Sequence, residues 1–152
     1  MWWMNHVMNP IMKMILRSPF RSLLGSSLLL ITYRGRKSGK TYTLPVQYAQ
    51  AGEKIYILPG SPERKTWWRN LRGGAPVSIE MGGQKLDATA GLLTPEHDCD
   101  EIEAALGAYF RRFPPSARLH QVEKAPDGTF RAEDIRRVAA AVVMVRVVPH
   151  IQ

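Results

Sequence analysis

A run of short β-rich segments closed by tight glycine turns, between residues 28 and 93, constrains this chain more than any other feature. LLLITYR (28–34) passes through the glycine-bracketed turn GRKSGK (35–40) into TYTLPVQYA (41–49), which alternates as a half-buried strand does. A second turn at Ala51-Gly52 leads into KIYILP (54–59), and APVSIEM (75–81) is joined to QKLDATAGLL (84–93) by Gly82-Gly83, a two-residue hairpin signal. Strands so closely spaced and so tightly joined predict a small antiparallel barrel rather than a parallel sheet. AAVVMVRVV (140–148) supplies a last strand, making about six. TWWRNLR (66–72) reads as a short helix with Thr66 as its N-cap. A longer helix is expected from Pro95 to Arg112, capped by Thr94 and stopped by Pro114-Pro115. The 152 residues suit one domain, mainly β with added helices, in which residues 27–92 carry the barrel strands and the site.

The first seventeen residues place Met4, Val7, Met8, Ile11, Met12, Ile15 and Leu16 at the spacing of one helical face. His6, Asn9, Pro10 and Lys13 interrupt the run, so this amphipathic helix is too short and too polar to span a bilayer. It also lacks the order of a secretory signal. Two readings stay open. Either the helix packs over the barrel or a partner subunit, or Trp2, Trp3 and the Met-rich face rest on lipid with Lys13, Arg17 and Arg21 near anionic headgroups.

Charge sharpens the list of partners. Of a net +8, the first 52 residues contribute seven basic side chains and no acidic one: Lys13, Arg17, Arg21, Arg34, Arg36, Lys37 and Lys40. Nucleic acid, an anionic membrane surface and an anionic small molecule are the candidates. Nucleic acid is the weakest, because the aromatic residues do not interleave with the basic ones on a strand face as a stacking platform requires. Cys99 is the only cysteine, which rules out an intramolecular disulfide and points to a reducing cytoplasm. A peripheral place on the inner face of the membrane is the variant that a lipid-bound helix adds. His6, His97, His120 and His150 are scattered, and no HExxH, paired CxxC or Walker loop is present, so the sequence assigns neither a metal site nor a catalytic side chain.

The string LLLITYRGRKSGKTYTLPVQY, then a glycine-serine loop, then TWWRNLRGGAPVSIE, resembles the deazaflavin-dependent nitroreductase and quinone reductase family over roughly residues 20–92. The resemblance implies a split β-barrel that binds coenzyme F420, with FMN on a related split barrel as the alternative. It places Arg36, Lys37, Ser38 and Lys40 on the anionic phosphodiester and oligoglutamate end of the coenzyme, through charge-assisted hydrogen bonds. Thr43 and Pro45 then lie along the coenzyme, and Trp67 walls its ring or linker. Asn70 and Ser61 are near it as well. Trp67 and Trp68 are adjacent and face different ways, so one belongs to the core and the other to the site. Tyr42 and Pro62 depart from the pattern, standing where some members carry arginine and lysine, which leaves Arg64, Lys65 and Lys40 as substitutes.

The reaction implied is hydride transfer from the reduced coenzyme to a small apolar acceptor of the quinone or nitro type, with the protein supplying orientation and electrostatics. Tyr109, Phe110 and Phe113 are candidates to border the acceptor, with core packing expected for at least one. A non-enzymatic carrier of fatty acid or another apolar ligand is the reading from a different class. Monomer and homodimer both remain open. Removing residues 1–17 is expected to reduce sedimentation with anionic vesicles and slow turnover of a long-tailed quinone, while reduction of a water-soluble quinone stays nearly intact. Equal loss of both activities would make the helix part of the fold.

Overall fold

The computed structural model describes residues 28–59 and 66–150; the helix expected over 1–17 lies outside them. Among the described residues seven strands form one antiparallel sheet: β1 (Leu28–Arg34), β2 (Thr41–Gln47), β3 (Ala49–Ala51), β4 (Lys54–Ile57), β5 (Ala75–Met81), β6 (Gln84–Leu93) and β7 (Met144–Pro149). Their order across the sheet is β2-β1-β5-β6-β7-β4-β3. The β1–β2 hairpin pairs Leu28 with Gln47 through to Arg34 with Thr41. In the β5–β6 hairpin Met81 pairs with Gln84, and both turn residues, Gly82 and Gly83, take positive φ (53° and 83°). That is the geometry of a tight turn whose twist matches the strands, and it explains why two glycines stand there.

β2 and β3 lie at opposite edges of the sheet, yet only Tyr48 separates them in the chain. The edges therefore meet there, and the sheet curls into a split barrel. Alternation along the strands sends Leu29, Ile31, Ile55, Ile57, Val77, Ile79, Val145 and Val147 inward, where Trp68 and Leu71 join them. A second apolar cluster lies outside, beneath three helices of the described residues: α1 (Pro95–Arg112), α2 (Pro114–Leu119) and α3 (Ala132–Ala139). Ile102, Leu106 and Phe110 of α1 are each 0% exposed in it, and a side chain of this size fully buried contributes roughly 1.5–3 kcal/mol.

Several expectations need correction. The segment 41–49 is not one strand: it breaks at Tyr48 because its two parts pair with different neighbours. The last strand begins at Met144 instead of residue 140, since Ala140 caps α3 and the strand starts only where β6 and β4 offer partners. Thr66 and Thr94 hold the cap positions without side-chain cap bonds. The Asp98 carboxylate instead accepts from the Thr94 N–H at 3.0 Å. Pro114-Pro115 ends α1 as expected but also opens α2, because a proline costs a helix nothing in its first turn.

Among the described residues no helix is long and apolar enough to cross a membrane. α1 is tied to the sheet by a polar clamp: Glu101 accepts from the Tyr56 hydroxyl at 2.8 Å and from Arg146 at 2.7 Å. Burial, and then the hydrogen bond and charge of Glu101, push the Tyr56 hydroxyl up to about 12. Burial alone takes Tyr109 to about 12. Both lie above the ordinary value of 10.0, so the fold favours the neutral phenols. That contribution is complete below pH 10 and is lost as pH rises through 12. The urea midpoint should therefore fall across this interval, and Tyr56→Phe should flatten the fall.

Candidate functional site

The turn between β1 and β2 is built by its own backbone. Gly35 N–H donates to the Lys40 carbonyl at 2.7 Å, and Gly39 N–H to that of Gly35 at 2.9 Å. A Cβ on Gly35 would come within 2.9 Å of both Ser38 Oγ and the Tyr42 ring, so only glycine fits where the chain turns back. Ser38 Oγ accepts from Lys40 N–H at 3.1 Å and lies 3.2 Å from the Tyr42 hydroxyl, which commits this side chain to shaping the turn. Arg34 Nε donates to the Gly39 carbonyl at 3.1 Å. Arg36, Lys37 and Lys40 are exposed and enter none of the ion pairs among the described residues.

Asn70 fastens this cationic tip to the short 3-10 helix Trp67–Leu71. Its Oδ1 accepts from Arg36 N–H at 2.9 Å and its Nδ2 donates to the Trp67 carbonyl at 2.8 Å. From there an aromatic row runs inward, with the Tyr33 ring centroid 5.7 Å from both Tyr42 and Trp67. Trp68 is the tryptophan that enters the core, at 8% exposure, with Arg69 and Arg72 over its ring at 5.5 and 5.9 Å. Trp67 is half-buried and turns to a cavity.

That cavity, about 790 Å³, opens between the barrel and the helices. Its walls are largely apolar: Leu44, Pro45 and Val46 from β2, Ile57, Leu58 and Pro59 from and after β4, and Val142 and Val143 before β7. Polar groups gather on the helix side, where Tyr109, Ser116 and His120 join Gln47. The Tyr109 hydroxyl donates to Gln47 Oε1 at 3.4 Å. Burial, and secondly the Arg137 charge, hold the His120 imidazole below its ordinary 6.5.

The structure thus brings Arg36, Lys37, Ser38, Lys40 and Asn70 together at the tip, Tyr42 beside them, and Pro45 and Trp67 at the cavity. Thr43 does not join them. Strand alternation turns it away from Tyr42 and Leu44, and its hydroxyl pairs with Thr32 at 2.9 Å in a buried contact. Ser61 and Lys65 lie outside the described residues. Tyr109 borders the cavity whereas Phe110 is core, 6.0 Å from the Phe130 ring. Ser116 and Leu119 carry no signal in the sequence, and His120 reads there only as one of four scattered histidines, because no apolar periodicity marks the segment after Pro114-Pro115. Among the described residues no group of three or more His, Cys, Asp or Glu is placed to hold a metal. Asn70→Ala should free the tip from the 3-10 helix and cost about 1 kcal/mol per hydrogen bond lost, read as a lower urea midpoint.

A family model described as F420H(2)-dependent quinone reductase matches residues 16–109. No match was found among curated proteins. Among solved structures, that of an F420-H2 dependent reductase, FDR-A, is similar at 22% identity and a TM-score of 0.55, covering 80% of this chain and 94% of that one. A structure described as a domain-swapped dimer shares 21% identity at a TM-score of 0.54, over 91% of this chain and 99% of the other. A conserved hypothetical protein from Mycobacterium tuberculosis follows at 12% and 0.53, over 88% and 81%. At such identities these likenesses bear on the fold alone, which is the split barrel. The family match runs over more than half of the chain, from ahead of β1 to Tyr109, and takes in the tip, the 3-10 helix and most of the cavity walls. The chain belongs to the F420H(2)-dependent quinone reductase family and is an oxidoreductase that uses coenzyme F420.

Proposed function

We propose that the chain reduces a quinone- or nitro-type acceptor inside the cavity, with the coenzyme's anionic end held by the β1–β2 tip. One observation carries the reading: the turn that holds three exposed cations with no acidic partner among the described residues is fastened through Asn70 to Trp67, which lines a largely apolar cavity. A ligand that fits such a pair of environments is anionic at one end and flat and apolar at the other, which is the chemistry of a deazaflavin with a phosphodiester and oligoglutamate tail.

In this arrangement Arg36, Lys37 and Lys40 bind phosphate and carboxylate oxygens by charge-assisted hydrogen bonds. Ser38 and Asn70 act on the coenzyme indirectly, by fixing the shape and position of the turn. Pro45 and Trp67 provide apolar contact for the ring, and Tyr42 extends the aromatic row toward the tip. When bound, the reduced coenzyme supplies a hydride to an electron-poor acceptor. The apolar walls favour a flat apolar acceptor and, with Trp67, orient it. A quinone suits these walls directly, and a nitroaromatic has the same flat shape.

The test is a binding titration of the full chain with coenzyme F420, FMN and FAD side by side, followed by turnover with quinone and nitroaromatic acceptors. Tight binding of the deazaflavin alone is expected. The double change Lys37→Ala, Lys40→Ala should weaken it, with most of the loss at low salt, where exposed charges are least screened. Unchanged affinity at low ionic strength would remove these lysines from the site.

A further inference from the structure

α2 ends at the cavity. Ser116 and Leu119 on the helix and His120, the residue that caps its C-terminus, all line the wall. His120 differs from the other described histidines. His97 is exposed, and the His150 ring is engaged by Thr89 at 2.7 Å. The His120 imidazole is half-buried, with its centroid 5.8 Å from the Phe110 ring, so the core holds it in place. Arg137 donates to the His120 backbone carbonyl at 3.4 Å and not to the ring. Neither ring nitrogen has a hydrogen-bond partner among the described residues. An imidazole fixed by packing at the wall of an apolar cavity, with neither nitrogen bonded among the described residues, is equipped to exchange a proton with whatever occupies that cavity.

We propose that His120 delivers the proton that a quinone oxygen takes up on reduction in this cavity, an inference that rests on the acceptor site proposed above. A quinone that receives a hydride gains two electrons and one hydrogen and becomes a hydroquinone monoanion. The second hydrogen must arrive as a proton. The imidazolium N–H bond breaks, an O–H bond forms on the phenolate oxygen, and the neutral imidazole recovers its proton from water.

The surroundings suit that role. Among the described residues the charged and titratable groups around His120 are Arg137 at the α3 side, with its partner Asp134, and Tyr109 on α1, with Lys124 further off over Phe130, whose ring packs on Phe110. The Asp134 carboxylate is committed to Arg137 at 3.6 Å and to the Glu123 N–H at 3.0 Å, so among the described residues no carboxylate pairs with the ring to hold the proton back. Burial and the Arg137 charge weaken the ring's hold on it further. Negative charge arriving on the acceptor acts in the opposite sense and draws a proton onto the ring when it is needed. Tyr109, pushed up to about 12, is much the weaker acid of the two at this wall.

The test uses the full chain with coenzyme bound. His120→Gln should lower kcat for a water-soluble quinone roughly a hundredfold while the Kd for the coenzyme stays within about twofold. In the wild type kcat should rise as pH falls through a midpoint below 6.5, and the variant should lose that rise. Added imidazole should restore turnover to His120→Gly. A variant with wild-type kcat and pH profile overturns the inference. A second measurement needs no turnover: 4-nitrophenolate, standing in for the hydroquinone monoanion, should raise the His120 titration midpoint followed by NMR. An unmoved midpoint overturns the role of His120 even in a chain that reduces quinones. Failure of the wild type to bind the coenzyme sinks the proposed function instead, and the nitrophenolate titration still decides for or against His120.

Discussion

The two edges of the sheet are one residue apart. Gln47 ends β2 at one edge and Ala49 begins β3 at the other, and consecutive Cα atoms across a trans peptide lie about 3.8 Å apart. Seven strands can satisfy that constraint only by curling until their edges meet. Tyr48, the residue between, is 3% exposed in the inner core, and the Arg112 guanidinium sits 4.5 Å above its ring. A cation–π contact of this kind contributes about 0.5–2 kcal/mol, and here it ties the end of α1 to the closure.

Curling gives the sheet two apolar faces to cover. The inner one fills with β-branched and aliphatic side chains from strands far apart in sheet order, together with Trp68 and Leu71. The outer one is covered by α1, α2 and α3 over the β6-β7-β4-β3 half. Neither cluster takes up the space between the end of β2, the end of β4 and α2, and the cavity lies there. Its walls are therefore by-products of closure, while its polar groups come from helices that were free to place them.

Charge is arranged around the same frame. Arg131, Arg136, Arg137 and Arg146 are each paired with carboxylates, whereas Arg36, Lys37 and Lys40 have no such partner among the described residues. Exposed cations in water lose little by standing unpaired, since a surface ion pair contributes only about 0–1 kcal/mol. They gain most when a multiply charged ligand arrives with geometry to match. Asn70 holds their loop still, so less order has to be created on binding.

The sequence by itself determined the strands, the hairpins and the long helix, because alternation, paired glycines and a proline at the first helical turn are local signals that act through φ and ψ. Its cationic tip was legible for the same reason: Arg36, Lys37, Ser38 and Lys40 all fall within one five-residue stretch, 36–40. Only tertiary structure decided the break at Tyr48, the burial of Trp68 instead of Trp67, the outward turn of Thr43 and the arrival of His120 at the cavity. Each of these depends on which distant segment a residue meets. The cavity draws on residues from Leu44 to Val143, and no local pattern records that closure of the barrel and refolding of the chain after Pro114 will bring them together.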